Sequence, residues 1–283
     1  MPRNIQLLII DPQNDFCDLP STWHGIDALT AQRIAPSLPV AGAHADLQRL
    51  AGWVDRSASC LTQITITLDS HHRYDIAHPA FWQTDKGQTP SPFTVIRAAL
   101  VREGAFSTRD AQAQTRALHY LDELESKGRY ELMIWPVHCE IGTWGHGVHA
   151  DVLRAAQAWE ETKLKPLQYV YKGSNPWPEH YSAMQAEVPD AQDPDTQLQQ
   201  ALIDQLDQAD LLLIAGQASS HCVRATTEHI ANHLPSAQLR KLVLLTDCMS
   251  PVGGFEMQAQ AFFTQMQARG VRIASSTDNI ETL

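Results

Sequence analysis

Residues Leu211 to Ile230 read LLLIAGQASSHCVRATTEHI. Leu211 to Ala215 is a short apolar run, long enough for a strand buried on both faces. Gly216 breaks it, and Gln217 to Ser220 make a small polar turn. From Cys222 the period changes, with Val223, Thr227, Ile230 and Leu234 at helical spacing along one face. A cysteine therefore sits in the first turn of a helix that follows a buried strand. Unpaired backbone N–H groups and the positive end of the helix dipole lower a thiol's pKa at such a place. The same N–H groups can bind an oxyanion. Taken alone, a cysteine here reads more readily as a small buried hydrophobe. A nucleophile needs a base and a cation beside it, and other segments must supply them.

The chain has 283 residues, 43% of them hydrophobic and 19% charged, which suits one large globular domain or a domain with insertions. No apolar run approaches the roughly 20 residues of a membrane span. The first strand begins almost at once, which leaves no room for a signal peptide. A formal charge of −11 argues against nucleic acid and anionic membranes as partners. The five cysteines (Cys17, Cys60, Cys139, Cys222, Cys248) are odd in number and lack a CxxC pair. That usage points to a reducing cytoplasm and not to a disulfide scaffold.

Working outward, Ile5 to Ile10 (IQLLII) is a second buried run, and it delivers Asp11 into the polar stretch DPQNDF ending at Phe16. Cys17 to Ala35 is loop-like, and Ala43 to Val54 has helical spacing. Gln63 to Leu68 (QITITL) is β-branched in succession and ends in Asp69-Ser70-His71-His72, with His78 soon after. An Asp and a His two apart past a strand end, with a further His, carry metal-ligand chemistry, although chance clustering among thirteen histidines is the competing explanation. Pro79 to Gly128 opens without clear periodicity and then predicts a helix from about Arg109 to Lys127. Glu131 to Trp135 (ELMIW) reads as a strand running into Pro136-Val137-His138-Cys139, and His149 to Thr162 as a helix. Leu167 to Tyr171 (LQYVY) is a strand followed by Lys172-Gly173, and Thr196 to Ala209 a helix. After the central stretch come a strand at Lys241 to Leu245, a helix at Glu256 to Arg269 and a short strand at Val271 to Ala274.

Strands alternating with helices predict a three-layer α/β/α fold on a mainly parallel sheet. In such sheets ligands bind beyond the carboxyl ends of the strands. Asp11, Asp69, His71, His138, Lys172 and Cys222 all follow expected strand ends, so that edge reads as an active site.

With these residues assembled, the chain resembles the isochorismatase-like cysteine hydrolases, and within them the nicotinamidases. The matching segments are LLIIDPQNDF, TLDSHH, WPVHC, YKG and AGQASSHCVRAT, in the family's order. The resemblance implies one domain over residues 1–283 with a six-stranded sheet and insertions at about 18–35 and 79–130. It implies Cys222 as nucleophile, Asp11 as general base and acid, and Lys172 as the cation beside both. It further implies an oxyanion hole from the N–H groups of Ala218 and Cys222, shaped by a cis peptide between Gln217 and Ala218. Phe16 and Trp135 match the aromatic walls around the substrate. Asp69, His71 and His138 match the metal ligands, with His78 as a fourth, for a divalent ion: zinc, or else iron or manganese. The implied activity is hydrolysis of a small carboxamide, such as nicotinamide, to acid and ammonia by a cytoplasmic homo-oligomer.

The chain departs from the family pattern in three places. Ser219-Ser220 replaces the usual pair before His-Cys, Pro36 to Ala43 (PSLPVAGA) resumes the first motif after an insertion, and the segment between His78 and Trp135 is long. Two other readings compete. One keeps the fold and hydrolyses a ureido or carbamoyl amide or a vinyl ether. The other is a non-catalytic zinc or binding protein using His138, Cys139, His221 and Cys222, whose adjacent pairs lack the gaps of structural zinc sites. The long segment, Pro79 to Gly128, is expected to cover the pocket of its own or a neighbouring subunit, with Lys86 and Arg97 available to meet a carboxylate; the competing reading is a surface or dimer-contact excursion with no substrate role.

Overall fold

A computed structural model describes residues 3–283. Six strands form the central sheet: β1 (Ile5–Ile10), β2 (Gln63–Asp69), β3 (Gln168–Lys172), β4 (Leu211–Gly216), β5 (Leu242–Leu245) and β6 (Arg272–Ala274). Their order is β6-β5-β4-β1-β2-β3, and every pairing is parallel. The first half of the chain thus builds outward from β1 in one direction, and the second half builds outward from β4 in the other. The reversal falls between β1 and β4, where Ile10 is in register with Gly216. A crevice opens at such a switch point beyond the strand ends.

Alternation along the central strands explains the continuous apolar runs. Leu212 and Ile214 enter the core on one face with Leu8 and Ile10, while Leu211, Leu213 and Ala215 enter the other with Leu7 and Ile9. A parallel sheet covered on both faces needs apolar side chains in both directions. Helices α1 (Ala43–Ser57) and, later in the chain, α4 (Ala150–Lys163) cover one face, through residues such as Leu47, Leu50, Val152 and Trp159. Between them in sequence lie α2 (Ala98–Arg102) and α3 (Gln114–Ser126). The other face is covered by α3, α5 (Gln200–Asp207), α6 (Cys222–His233) and α7 (Glu256–Ala268). None of the described helices is long and apolar enough to cross a membrane.

One expected strand is misplaced by the sequence. Of Glu131 to Trp135 only Leu132–Met133 is a strand, and it pairs antiparallel with Val95–Ile96, outside the central sheet. Its apolar residues do serve the core, since Leu132 and Ile134 are buried. An apolar run signals burial, and here loop packing supplies that burial without a sheet neighbour. The predicted helix at Arg109 to Lys127 is a 3-10 turn at Ala111–Ala113 continuing into α3. The one predicted from Thr196 begins at Gln200, after a 3-10 turn at Pro194–Thr196.

The two expected insertions differ in kind. Within 18–35 there are a 3-10 turn at Ser21–Trp23 and a hairpin of Gly25–Ile26 with Arg33–Ile34, after which Leu38 and Val40 donate backbone hydrogen bonds to Asp15 and Phe16. PSLPVAGA therefore returns to the DPQNDF motif, as its sequence suggested. By contrast, Phe81, Trp82, Ile96 and Leu121 of 79–130 are fully buried, so much of that segment belongs to the core.

Candidate active site

The DPQNDF motif organises the switch-point crevice residue by residue. Asp11 leaves β1 with φ 44°, a left-handed conformation that Asp tolerates better than most residues. Its N–H donates to the Thr67 carbonyl at 3.2 Å, and the Thr67 hydroxyl donates to its carboxylate at 2.5 Å. Gln13 clamps the end of β2, accepting from the Asp69 N–H and donating to the Asp69 carbonyl, each at 2.8 Å. Asp15 accepts from the Ser37 N–H at 3.0 Å and the Cys139 N–H at 2.7 Å, tying two distant loops to the motif. Phe16 then faces His138, with ring centroids 5.4 Å apart.

Lys172 ends β3 in register with Asp69 and is almost wholly buried. Its Nζ lies 2.8 Å from Asp69 Oδ1, 3.0 Å from Asp11 Oδ2, 3.0 Å from the His180 carbonyl and 3.6 Å from Cys222 Sγ. Burial opposes its charge, but Asp11 and Asp69 overcome that and hold its pKa well above the ordinary lysine value. Burial raises the Asp11 carboxyl above its usual range, with Lys172 opposing the rise. Burial also pushes the Cys222 thiol well up, again against Lys172. The resting arrangement is thus an ammonium among carboxylates, beside a protonated thiol.

Cys222 opens α6, and Gly216 ends β4 close against β1. A Cβ on Gly216 would lie 2.0 Å from the Ile10 carbonyl oxygen, and its φ of +121° is one that side chains disfavour. The Gln217–Ala218 peptide is cis, as the resemblance implied. Gln217 is held from three sides: its N–H donates to the Ile10 carbonyl, its side-chain amide donates to Asp46, and its side-chain oxygen accepts from the Ser250 N–H. Among the described residues, no protein acceptor takes the N–H of Ala218 or of Cys222. Two donors are therefore free beside the sulfur, the arrangement an oxyanion needs.

The three expected histidines come together, although only His71 follows a central strand. His71 bridges to Glu140, and its N–H donates to the Cys139 carbonyl at 3.0 Å, which sets the His138 loop beside β2. One ring nitrogen from each of His71, His78 and His138 lies within 4.8 Å of the others. Each Nδ1 has an acceptor: Asp75 at 3.0 Å for His71, the His72 carbonyl at 3.0 Å for His78 and the Pro136 carbonyl at 2.8 Å for His138. Such acceptors orient the three rings, and His78 Nε2 also lies 3.4 Å from His138 Nδ1. His71 Nε2 is buried and without a hydrogen-bond partner, and it stands 3.2 Å from Asp69 Oδ2, with His138 Nε2 at 3.6 Å from the same oxygen. Three convergent imidazoles, two of them beside the Asp69 carboxylate, offer donors that suit a divalent transition metal. The rival zinc grouping does not form, because His138 and Cys222 fall in separate clusters and Cys139 and His221 in neither.

Phe16, Leu38, Trp135, Tyr181, His221 and Val252 line a narrow cavity of about 30 Å³ with Asp69, His138, Ala218 and Cys222 at its walls. The Trp135 indole N–H donates to the Tyr181 hydroxyl at 3.1 Å, and Trp135 meets His221 edge-on at 5.3 Å. Ser220 Oγ binds His221 Nδ1 at 2.8 Å and accepts from the Val252 N–H at 3.0 Å, so the second residue of the departing Ser219-Ser220 pair serves to fix cavity walls. Sequence reasoning missed Leu38, Tyr181, Val252 and, above all, Glu179. This carboxyl is fully buried at the cavity wall; burial pushes its pKa up to about 7, and its Oε2 has no hydrogen-bond partner. Lys86 is exposed in a turn and Arg97 is paired with Glu131, so neither reaches the cavity.

This geometry defines the class of fold: the chain has the isochorismatase-like fold of the nicotinamidases. A nicotinamidase/pyrazinamidase of Acinetobacter baumanii superposes with a TM-score of 0.61 at 20% identity, covering 98% of this chain and 99% of that one. The yeast nicotinamidase Pnc1p bound to the inhibitor nicotinaldehyde gives 0.60 at 19% identity, covering 96% and 99%. The pyrazinamidase of Pyrococcus horikoshii in complex with zinc gives 0.54 at 17% identity, covering 96% and 99%. No family model matches the sequence, and no curated protein does.

Proposed function

We propose that this chain is a cysteine-dependent amidohydrolase that cleaves a small carboxamide, nicotinamide or a related amide, to acid and ammonia through a thioester. The observation that carries the reading is the placement of Lys172 Nζ between Asp11 at 3.0 Å and Cys222 at 3.6 Å, beside two free N–H groups. A vinyl-ether hydrolase of the same fold has no use for a buried thiol so placed.

The thiol keeps its proton until substrate arrives. Asp11 then accepts it as Sγ attacks the amide carbon. The carboxyl's raised pKa makes it a better base than an ordinary Asp, and closer in pKa to the group it serves. Lys172 stays charged throughout and offsets the negative charge on Asp11 and the forming thiolate. The N–H groups of Ala218 and Cys222 face the oxyanion. As the tetrahedral species collapses, Asp11 returns the proton to the departing nitrogen and ammonia leaves. Asp11 next deprotonates a water that attacks the thioester, and the thiol is regenerated with release of the acid. Phe16 and Trp135 form apolar walls that exclude bulk water from the reacting atoms.

Asp69, His71 and His138, with His78 as a fourth donor, would hold a divalent metal; the donor set suits zinc and also iron or manganese. When bound, such an ion supplies a Lewis-acid contact for a ring nitrogen of the substrate. The Pyrococcus pyrazinamidase solved with zinc and the yeast nicotinamidase solved with nicotinaldehyde support both parts of the reading. The net charge of −11 favours a small-molecule substrate over nucleic acid. Ammonia release from nicotinamide, pyrazinamide, ureido acids and simple amides, compared between the native protein and Cys222→Ala, is the test. Turnover of a pyridine or pyrazine carboxamide that Cys222→Ala abolishes is expected; substantial turnover by the variant would overturn the mechanism.

A further inference from the structure

The narrow cavity adjoins a second and larger one. Trp135, Tyr181 and His221 line both, so these three side chains form the wall between them. The outer cavity has a volume of about 490 Å³, against about 30 Å³ for the inner one. Its apolar walls are Val95, Met133, Tyr130 and Phe255. His221 is the hub of an aromatic cluster, with Phe255 at 4.7 Å, Trp135 and Tyr181 each at 5.3 Å, and Tyr130 at 6.5 Å and nearly parallel. Burial keeps the His221 imidazole uncharged, lowering its pKa to about 4, so the hub presents an aromatic face.

The charged side chains of this outer cavity are unequally committed. Glu125 accepts from the Ala98 N–H at 2.6 Å, and Glu131 is in a two-pronged pair with Arg97. Arg129 is held by Glu228 at 2.5 Å and lies against His229. Arg224 differs. Its Nε donates to Glu228 at 2.9 Å, which fixes the guanidinium, while its two terminal nitrogens donate to no protein acceptor among the described residues. An anchored guanidinium with both terminal nitrogens free can take a carboxylate end-on through two parallel hydrogen bonds.

We propose that the outer cavity is a substrate subsite, and that the preferred substrate is a carboxamide extended beyond one ring by a flat apolar body ending in an anionic group at Arg224. The proposal rests on the amidohydrolase reading and deepens it. The amide carbon sits at Cys222, the body passes along His221 between Tyr130 and Phe255, and the distal carboxylate meets the free side of Arg224. A single-ring amide held at Cys222 leaves these contacts unused.

The test uses three probes: nicotinamide, a phenyl-extended nicotinamide, and the same molecule with a carboxylate on the phenyl ring. Selectivity is read as ratios of kcat/KM within each protein, and binding to Cys222→Ala is followed by calorimetry, apart from turnover. The carboxylate-bearing amide is expected to lead both rankings by at least about tenfold. Arg224→Gln is expected to erase its advantage over the neutral extended amide, and Phe255→Ala to shrink the advantage of both over nicotinamide. If nicotinamide is hydrolysed but neither extension improves kcat/KM or binding, the subsite is wrong and the amidohydrolase reading stands. If Arg224→Gln leaves the carboxylate preference within twofold, the anion assignment is overturned. If no amide turns over, the amidohydrolase reading fails, and equal binding of the three probes would then overturn the subsite as well.

Discussion

Replacing Lys172 with methionine isolates the cation at the centre of the site. The side chains are similar in length, so packing is largely kept and the charge is lost. In the native protein Nζ satisfies Asp69 at 2.8 Å, Asp11 at 3.0 Å and the His180 carbonyl at 3.0 Å, all buried. Removing one partner of a buried ion pair leaves its companions uncompensated and costs about 3–5 kcal/mol. Here two carboxylates lose the same cation, which argues for the upper part of that range unless one takes up a proton. Urea unfolding at neutral pH measures the loss, expected to reach on the order of a hundredfold or more in the folding constant. Protonation of Asp11 would in turn remove the base, so hydrolysis by the remaining folded protein should fall by orders of magnitude. An unfolding midpoint and a kcat/KM both near the native values would refute the reasoning, because neither the buried carboxylates nor the thiol would then depend on Lys172.

Three further outcomes are expected. Glu187 is buried against Arg129, and burial pushes its pKa up from 4.5 to about 7; between those values the folded protein binds more protons than the unfolded one, so the stability this carboxyl contributes when protonated, about 3 kcal/mol, is lost as pH rises through about 7. Glu187→Gln should therefore flatten the pH dependence of the urea midpoint across that window, and an unchanged slope would contradict it. Gly216→Ala should destabilise the fold by more than about 2 kcal/mol, since its Cβ would strike the Ile10 carbonyl at the switch point; a thermal midpoint equal to the native one would show that β1 and β4 can separate there. Elemental analysis of untagged protein should find about one divalent transition metal per chain, lost in a His71→Ala/His138→Ala double variant; metal-free protein with an unchanged thermal midpoint and full activity would make the cluster a polar network.

Much of the site was legible because strand ends are legible. Apolar runs marked β1 and β4, and β-branched or aromatic runs marked β2 and β3, so the polar residues that closed them had to emerge at the carboxyl edge; that logic placed Asp11, Asp69 and Lys172, and Cys222 across a short turn. It worked less well for His138, which reaches the cluster from a loop beside β2, although the right neighbours resulted. Glu179 and Tyr181 were illegible for a physical reason. They lie in a long irregular stretch after β3, where a carboxylate carries no periodic signal and reads as solvated. Their burial comes from the packing of residues distant in sequence, such as Tyr120, whose hydroxyl accepts from the Glu179 N–H. The 79–130 segment was half legible. Its position beside the site was evident from the residues it joins, and Val95, Glu125, Gly128, Arg129 and Tyr130 do line the outer cavity. That Phe81 and Trp82 are core and not lid surface was not evident, since aromatic residues among prolines suit either.

The claim that Cys222 is acylated during turnover can be measured directly. Rapid acid quenching of the protein with a slow carboxamide substrate, followed by mass spectrometry of the peptide bearing Cys222, should show the added mass of the acyl group on that thiol. The adduct should appear before the acid product accumulates and be absent from Cys222→Ala. Steady hydrolysis of the amide with the Cys222 peptide unmodified at every quench time, and with the variant equally active, would contradict the account.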